Sequence, residues 1–379
     1  MIRKLLMVLE GILLLAALAL GGAAWKVKSS VDQPLQLGAE QLIDVPAGAS
    51  PVGMFRRLES SGTLGDAFWL RWYWRFNSNG LTLHTGEYRL TPGMTVRDLI
   101  GLWQRGEVVQ YNLTLVEGWT FRQVRTALAK QEKLKQTLAG LSDEQVMEKL
   151  GHPAVFPEGR FFPDTYRYVK GTSDLELLGQ AYDRLDAVLA QEWQNRANDV
   201  PLSDPYQALI LASLIEKETG VPQERGEIAG VFVRRLQAGM LLQTDPTVIY
   251  GMGERYNGKI TRADLKAPSP YNTYLNAGLP PTPIAIVGRE ALHAALNPAS
   301  GRSLYFVARG DGSHVFSENL DEHNDAVRQY QLKRRADYRS SPAAQAPAEL
   351  PGDATPAPEQ GEGGKPGEAA EPAAPAEQP

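Results

Sequence analysis

The first thirty residues, MIRKLLMVLEGILLLAALALGGAAWKVKSS, constrain this chain more than any later stretch. Arg3 and Lys4 precede an apolar run from Leu5 to Ala24 that only Glu10 interrupts, and Trp25 and Lys26 close it. About 20 apolar residues cross a bilayer, and a tryptophan with flanking lysines suits the headgroup boundary. Residues 1–28 are therefore expected to form a short polar end and one transmembrane helix. A cleaved signal peptide is the competing reading, since Gly21 to Ala24 offer a small-residue cleavage site. The length of the run favours an anchor. Arg3 and Lys4 at one end balance Lys26 and Lys28 at the other, so charge does not decide the orientation.

The remainder of the 379 residues is long enough for two folded units and a tail. A formal net charge of −5 supplies no basic surface for nucleic acid. The chain has no cysteine, which removes disulfides, thiol nucleophiles and thiolate-bound zinc from consideration. Its five histidines form no HExxH-type spacing, and neither a metal nor another cofactor is expected.

Three stretches, beginning at Val45, Leu90 and Val116, each place a glycine, one residue, a Ser or Thr, and then an amphipathic run. Ser50, Thr95 and Thr120 are positioned as helix N-caps, with Phe55/Leu58, Leu99/Leu102 and Val124/Leu128 at helical spacing behind them. Each unit reads as strand, turn and helix. The first two resemble a LysM-like fold, which binds glycan in other proteins, and residues 39–115 are assigned to it. A compact scaffold without ligand is the plainer alternative. Phe68, Trp69, Trp72 and Trp74 in AFWLRWYWRF are read as core packing. Residues 116–338 form a larger α/β region, making the whole an α+β chain. Residues 339–379, rich in Pro, Ala and Glu and with a single Leu, are expected to be disordered.

In ALILASLIEKETG, Glu218 shares a helical face with Leu211, Leu214 and Ile215, while Glu216 points the other way. A carboxylate pressed against apolar residues is destabilised as an anion, so its pKa rises and it can act as a general acid near neutrality. Glycosidic cleavage asks for such a group. A solvent-facing helix end before Gly220 is the alternative. The loops beyond Gly220 are crowded with groups that sugar sites use, and Gln243, Thr244, Asp245, Tyr250, Asn272 and Tyr274 are candidate substrate contacts. Individually they also suit structure: Asp245 as a turn former before Pro246, Tyr250 closing a strand. GLPPTPI fixes a wall through its prolines. His314 and Phe316 fall on an alternating strand, with His323 and Asn324 opening a helix. His314 is read as a ligand contact or a core hydrogen bonder, with a proton carrier as the alternative. Ser213 lies four residues before Lys217, which is not the SxxK spacing of serine acylases.

The blocks ASLIEKETG, LQTDPTVIYGMGERYNGKI, SPYNTYLNAGLPPTPIA, ALNP, LYFVARGDGSHVFS and EHNDAV, together with PEGRFFPDTY from Pro157, resemble the endolytic murein transglycosylase family from about Val45 to Tyr330. The resemblance implies that Glu218 is the sole catalytic acid/base. It also implies cleavage of the MurNAc–GlcNAc bond of nascent peptidoglycan with a 1,6-anhydroMurNAc end, which terminates strand elongation. It further implies a periplasmic catalytic domain on a single-pass protein of the cell inner membrane, with glycan strands as substrate and cell-wall synthases as partners. One departure is IAIVG at Ile284 to Gly288, where many members carry Asn-Pro or Thr-Pro before the glycine. The rival readings are a muramidase-type hydrolase with Asp245 as second carboxylate, and a non-enzymatic glycan-binding scaffold.

Overall fold

The computed structural model describes residues 2–77 and 83–332. Residues 333–338 of the expected catalytic region and the expected tail, 339–379, lie outside the described residues. Helix α1 runs Ile2–Ser29 and is apolar and long enough to cross a membrane. Residues 2–22 are exposed on every side.

The N-terminal lobe is built from β1 (Gln41–Val45), α2 (Pro51–Ser60), α3 (Phe68–Asn77), β2 (Gly86–Leu90) and α4 (Val96–Arg105). β1 and β2 pair antiparallel, Ile43 opposite Tyr88. Capping chemistry sets the helix starts. Ser50 accepts the Gly53 N–H, and Thr95 and Asp98 satisfy each other's backbone in a capping box, which spares orphan amides at each end. Gly106 ends α4 at φ 64°, a left-handed cap that a Cβ would disfavour. Phe55, Leu70, Tyr88, Leu99 and Trp103 close the core beneath the two strands. The aromatic helix α3 is divided: Leu70, Tyr73 and Trp74 face this core, but Phe68, Trp72 and Phe76 do not.

The third capped unit, β3 (Gln110–Thr114) and α5 (Phe121–Ala129), joins a different core. β3 pairs antiparallel with β4 (Thr165–Val169), and Leu113, Leu115, Phe121 and Val124 pack with α6 (Asp143–Lys149) and α7 (Asp174–Gln194). Glu87 on β2 ties this layer to the N-terminal lobe. It accepts from Tyr111 Oη, from Lys133 Nζ at 3.0 Å and from Lys170 Nζ at 3.2 Å, and it is almost wholly buried.

Helices α8 (Pro205–Glu218), α9 (Arg225–Gln237), α10 (Asp245–Met252) and α11 (Arg289–Leu296) build the last layer, with β5 (Tyr305–Ala308) hairpinned to β6 (His314–Ser317) and α12 (Leu320–Val327) after it. The strand pairs described are all antiparallel and two-stranded, so the helices between them do not serve as crossovers of a parallel sheet. α8 is apolar because it is central: every residue from Ala208 to Ile215 is buried, packed against α9 and α11. Ser213 is consumed there, donating to Ile210 O at 2.7 Å and accepting Ile284 N–H at 3.0 Å. The IAIVG departure is a buried segment: Ile286 exchanges backbone bonds with Gly118 and Trp119 at 2.9 and 2.8 Å, and Gly288 caps α11.

Gly230 lets α9 approach the 299–303 loop. A Cβ there would stand 2.5 Å from Ala299 O, the carbonyl that Arg234 Nη1 binds at 3.1 Å. Gly230→Ala is expected to destabilise the fold by ~1–3 kcal/mol, the usual cost of overpacking against backbone, read as a fall in denaturant midpoint at unchanged slope.

Candidate active site

Glu218 is the last residue of α8, where the buried helix emerges from its core, and its side chain is half-buried. Its partner comes from 26 residues on: Thr244 Oγ1 donates to Glu218 Oε1. Thr244 is the N-cap residue of α10, yet its hydroxyl makes no capping bond, because it is turned to Glu218. Thr247 donates to Thr244 O at 2.7 Å, and Thr273 Oγ1 accepts the Thr244 N–H at 3.1 Å and shares a 2.9 Å bond with Thr247 Oγ1. All three threonines are buried. The paired Thr247 and Thr273 hydroxyls therefore fix the Thr244 backbone, and the Thr244 hydroxyl holds the carboxyl.

The approach to Thr244 is held equally firmly. Gln243 takes φ 52°, a left-handed conformation costly for a residue with a Cβ, and its N–H donates to Thr273 O at 3.1 Å. Its side chain is exposed beside Thr244. Upstream, the Arg235 guanidinium binds Leu241 O, Leu242 O and Leu304 O at 3.2, 2.9 and 2.6 Å, nailing the loop to the start of β5.

Burial raises the Glu218 carboxyl to about 7. The Asp245 charge adds to the rise, while the Thr244 hydrogen bond and the Arg235 charge oppose it. Asp245 is exposed and accepts Tyr274 Oη–H at 2.6 Å; burial, then Asp245, pushes that phenol up. Glu218, Gln243, Thr244, Asp245 and Tyr274 thus gather where α8 ends and α10 begins.

The other expected residues make no hydrogen bond to Glu218 or Thr244. Tyr250 lies within α10 and not at a strand end; its hydroxyl donates to Glu158 Oε2 at 3.1 Å and its ring meets Tyr271 edge-on at 4.8 Å. Asn272 is buried, its amide donating to Leu265 O and Ala267 O at 3.1 and 2.9 Å and accepting Tyr274 N–H at 3.0 Å, so it shapes the loop from within. His314 is on β6 and buried against Phe306, with both its N–H and Nδ1 on Glu224, at 2.8 and 2.7 Å. Glu224 in turn reaches Thr219 Oγ1 at 3.5 Å, next to Glu218. Leu279, Pro280 and Pro281 wall a concavity of about 460 Å³ with Tyr206 and Gln207, at the opposite end of α8 from Glu218.

Two further carboxyls are raised to about 7. Glu216 turns away from Glu218, as helix geometry requires, to accept Gly288 N–H at 3.0 Å; burial and then the Glu117 charge raise it, and Arg225 at 3.7 Å opposes. Glu158 is raised by burial, against donation from the Phe121 N–H at 2.9 Å and from Tyr250. Sequence reasoning overlooks Glu158, although it sits in the PEGRFF block. Nothing local in the sequence marks Glu224. Among the described residues no three His, Asp or Glu side chains converge as a metal site requires.

Residues 43–329 match the pattern of the YceG-like family. A Bacillus subtilis protein named endolytic murein transglycosylase is 31% identical over 331 residues, covering 82% of this chain and 90% of that protein. A Streptococcus pneumoniae protein of the same name is 26% identical over 323 residues, 76% of this chain but 58% of its own length. A crystal structure of a YceG-like protein from Listeria monocytogenes, 32% identical, covers 76% of this chain and 98% of its own with a TM-score of 0.49.

Proposed function

The chain belongs to the YceG-like family, and on that premise we propose that it is an endolytic murein transglycosylase, an enzyme that cuts peptidoglycan strands from within. The carrying observation is the half-buried Glu218, held by the Thr244 hydroxyl and poised near neutrality. A single group with a pKa near the working pH can give a proton and take one back in the same cycle.

In the first half, protonated Glu218 donates to the glycosidic oxygen between MurNAc C1 and GlcNAc C4. The C1–O bond breaks, the GlcNAc leaves with its 4-hydroxyl restored, and positive charge develops on the MurNAc ring. Glu218 is now an anion, which the Thr244 hydroxyl stabilises. In the second half that carboxylate takes the proton of the C6 hydroxyl of the same MurNAc as O6 bonds to C1. The product is a 1,6-anhydroMurNAc end, and no water enters. Tethering the nucleophile within the sugar supplies the effective concentration that a second carboxylate would otherwise have to provide.

Around this centre, Gln243, Asp245 and Tyr274 are the side chains we assign to sugar contact, with Tyr250 held on Glu158 as a wall and Asn272 and His314 supporting the loops. Helix α1 serves as a single-pass anchor in the cell inner membrane with residues 116–338 periplasmic. The N-terminal lobe, with its order β1, α2, α3, β2, acts as a LysM-like glycan-binding module, and strand synthases are the expected partners for termination of nascent strands.

Digestion of polymeric, uncrosslinked glycan tests the reaction. Mass spectrometry is expected to find new ends carrying 1,6-anhydroMurNAc, with no oxygen taken up from labelled water. Reducing ends bearing solvent oxygen would replace this mechanism by hydrolysis, with Asp245, which is close enough to influence Glu218, as the second carboxylate.

A further inference from the structure

Helix α3 has two apolar faces. Leu70 is fully buried, and Ala67, Tyr73 and Trp74 turn with it into the N-terminal core. On the opposite side Phe68, Trp72 and Phe76 succeed one another at four-residue steps, 49%, 38% and 68% exposed. They form one strip along the helix. The rings of Trp72 and Phe76 stack at 6.1 Å and 18°, and the Arg71 guanidinium lies over Phe68 at 4.1 Å and Trp72 at 5.5 Å. Arg75 is exposed beside the strip, one residue before Phe76, while Arg71 is half-buried. A continuous aromatic strip open to solvent marks a surface that something covers.

The position of α3 indicates the cover. α3 packs on α1, and the residues of α1 that are not fully open are Ala23, Val27 and Ser29, all in its last two turns. Those turns come directly after the apolar run and also hold Trp25, Lys26 and Lys28, the residue types that mark a headgroup boundary. An element packed there is held at headgroup depth. α3 has the composition that such a depth selects: aromatic rings for the acyl boundary and arginines for phosphate.

We propose that α3 lies in the headgroup layer of the phospholipid bilayer, with Phe68, Trp72 and Phe76 inserted below the phosphates and Arg71 and Arg75 paired with them. This rests on the reading of α1 as a membrane span. With α1 alone the folded body could swing about one point. With α3 in the interface the N-terminal lobe has a second attachment and a fixed tilt.

The chain has no native cysteine, so a single introduced thiol carries a spin label without background. The full-length protein, labelled at Phe76→Cys, is placed in vesicles of mixed phosphatidylcholine and phosphatidylglycerol. Collision of the label with oxygen, which partitions into lipid, is compared with collision with a nickel chelate, which stays in water. Leu14→Cys in α1 and Asp311→Cys in the exposed turn before β6 are the references, and Phe68→Cys repeats the test should the first variant fold poorly. The oxygen-to-nickel ratio at position 76 is expected to exceed that at 311 several-fold and to approach that at 14. A ratio at 76 equal to that at 311, with 14 in lipid, overturns the proposal and spares the anchor. A label at 14 in water removes both. Protection at 76 from oxygen and nickel together means a protein covers the strip, which also overturns the proposal; spin–spin broadening would identify that protein as a second copy.

Discussion

Glu218→Gln is expected to cut polymeric glycan roughly 10²–10⁴-fold more slowly than the parent, the usual worth of a positioned general acid, and at the same time to be the more stable protein above pH 7. The two effects have one origin. In the unfolded chain this carboxyl titrates near 4.5, and in the folded chain burial raises it to about 7. Below both values the group is neutral in either state and contributes no penalty. As pH rises from 4.5 to 7 the unfolded chain ionises first, native stability falls, and above 7 the whole penalty remains. Each unit is worth about 1.36 kcal/mol, and partial exposure reduces the total to the order of 1–2 kcal/mol. Glutamine keeps the acceptor for Thr244 without the charge. Its unfolding temperature should therefore exceed the parent's at about pH 8, the gain shrinking towards about pH 4. Retained cleavage, or lower stability across the whole range, would count against the site as drawn.

Thr244→Val should move the pH profile as well as the rate. The hydroxyl donates to Glu218 and so favours its anion, pulling the carboxyl down against burial. Without it the carboxyl titrates higher, and the alkaline limb of kcat/KM, where the acid loses its proton, shifts to higher pH. A hydrogen bond to a charged group contributes ~1.5–3 kcal/mol, so the carboxylate needed in the second half of the reaction forms less readily and kcat should fall about 10- to 100-fold. Valine preserves the volume at this buried position, and the bonds of the Thr244 N–H and C=O to Thr273 and Thr247 do not depend on the side chain. Thr244→Ser restores the donor and should restore both rate and profile. A lowered unfolding temperature with an unmoved alkaline limb would mean that the hydroxyl serves the loop alone.

How far the sequence discloses this site depends on sequence distance. Ser50, Thr95 and Thr120 are readable as caps because a cap and its amide lie three residues apart. Glu218 is readable because its apolar neighbours repeat along the same helix. Thr244 is readable as a residue, but its bond to Glu218 spans 26 residues and leaves no periodic trace. His314 and Glu224 are 90 residues apart, so the histidine appears in the sequence without its acid. α3 is misread in half: helical spacing identifies aromatic positions, but only the fold tells Leu70 and Trp74 from Phe68, Trp72 and Phe76. The strand expected before Gly251 is a helix because Thr244 starts a turn that Pro246 favours at the first positions.

Three carboxyls poised near 7 alter how the whole chain exchanges with its buffer. Glu158, Glu216 and Glu218 would all be ionised in the unfolded chain at pH 7, yet each holds its proton part of the time once folded. Folding at neutral pH therefore takes up protons at these three carboxyls, and the formal charge of −5 counts all three as fully ionised. The apparent heat of unfolding consequently carries a share that belongs to the buffer.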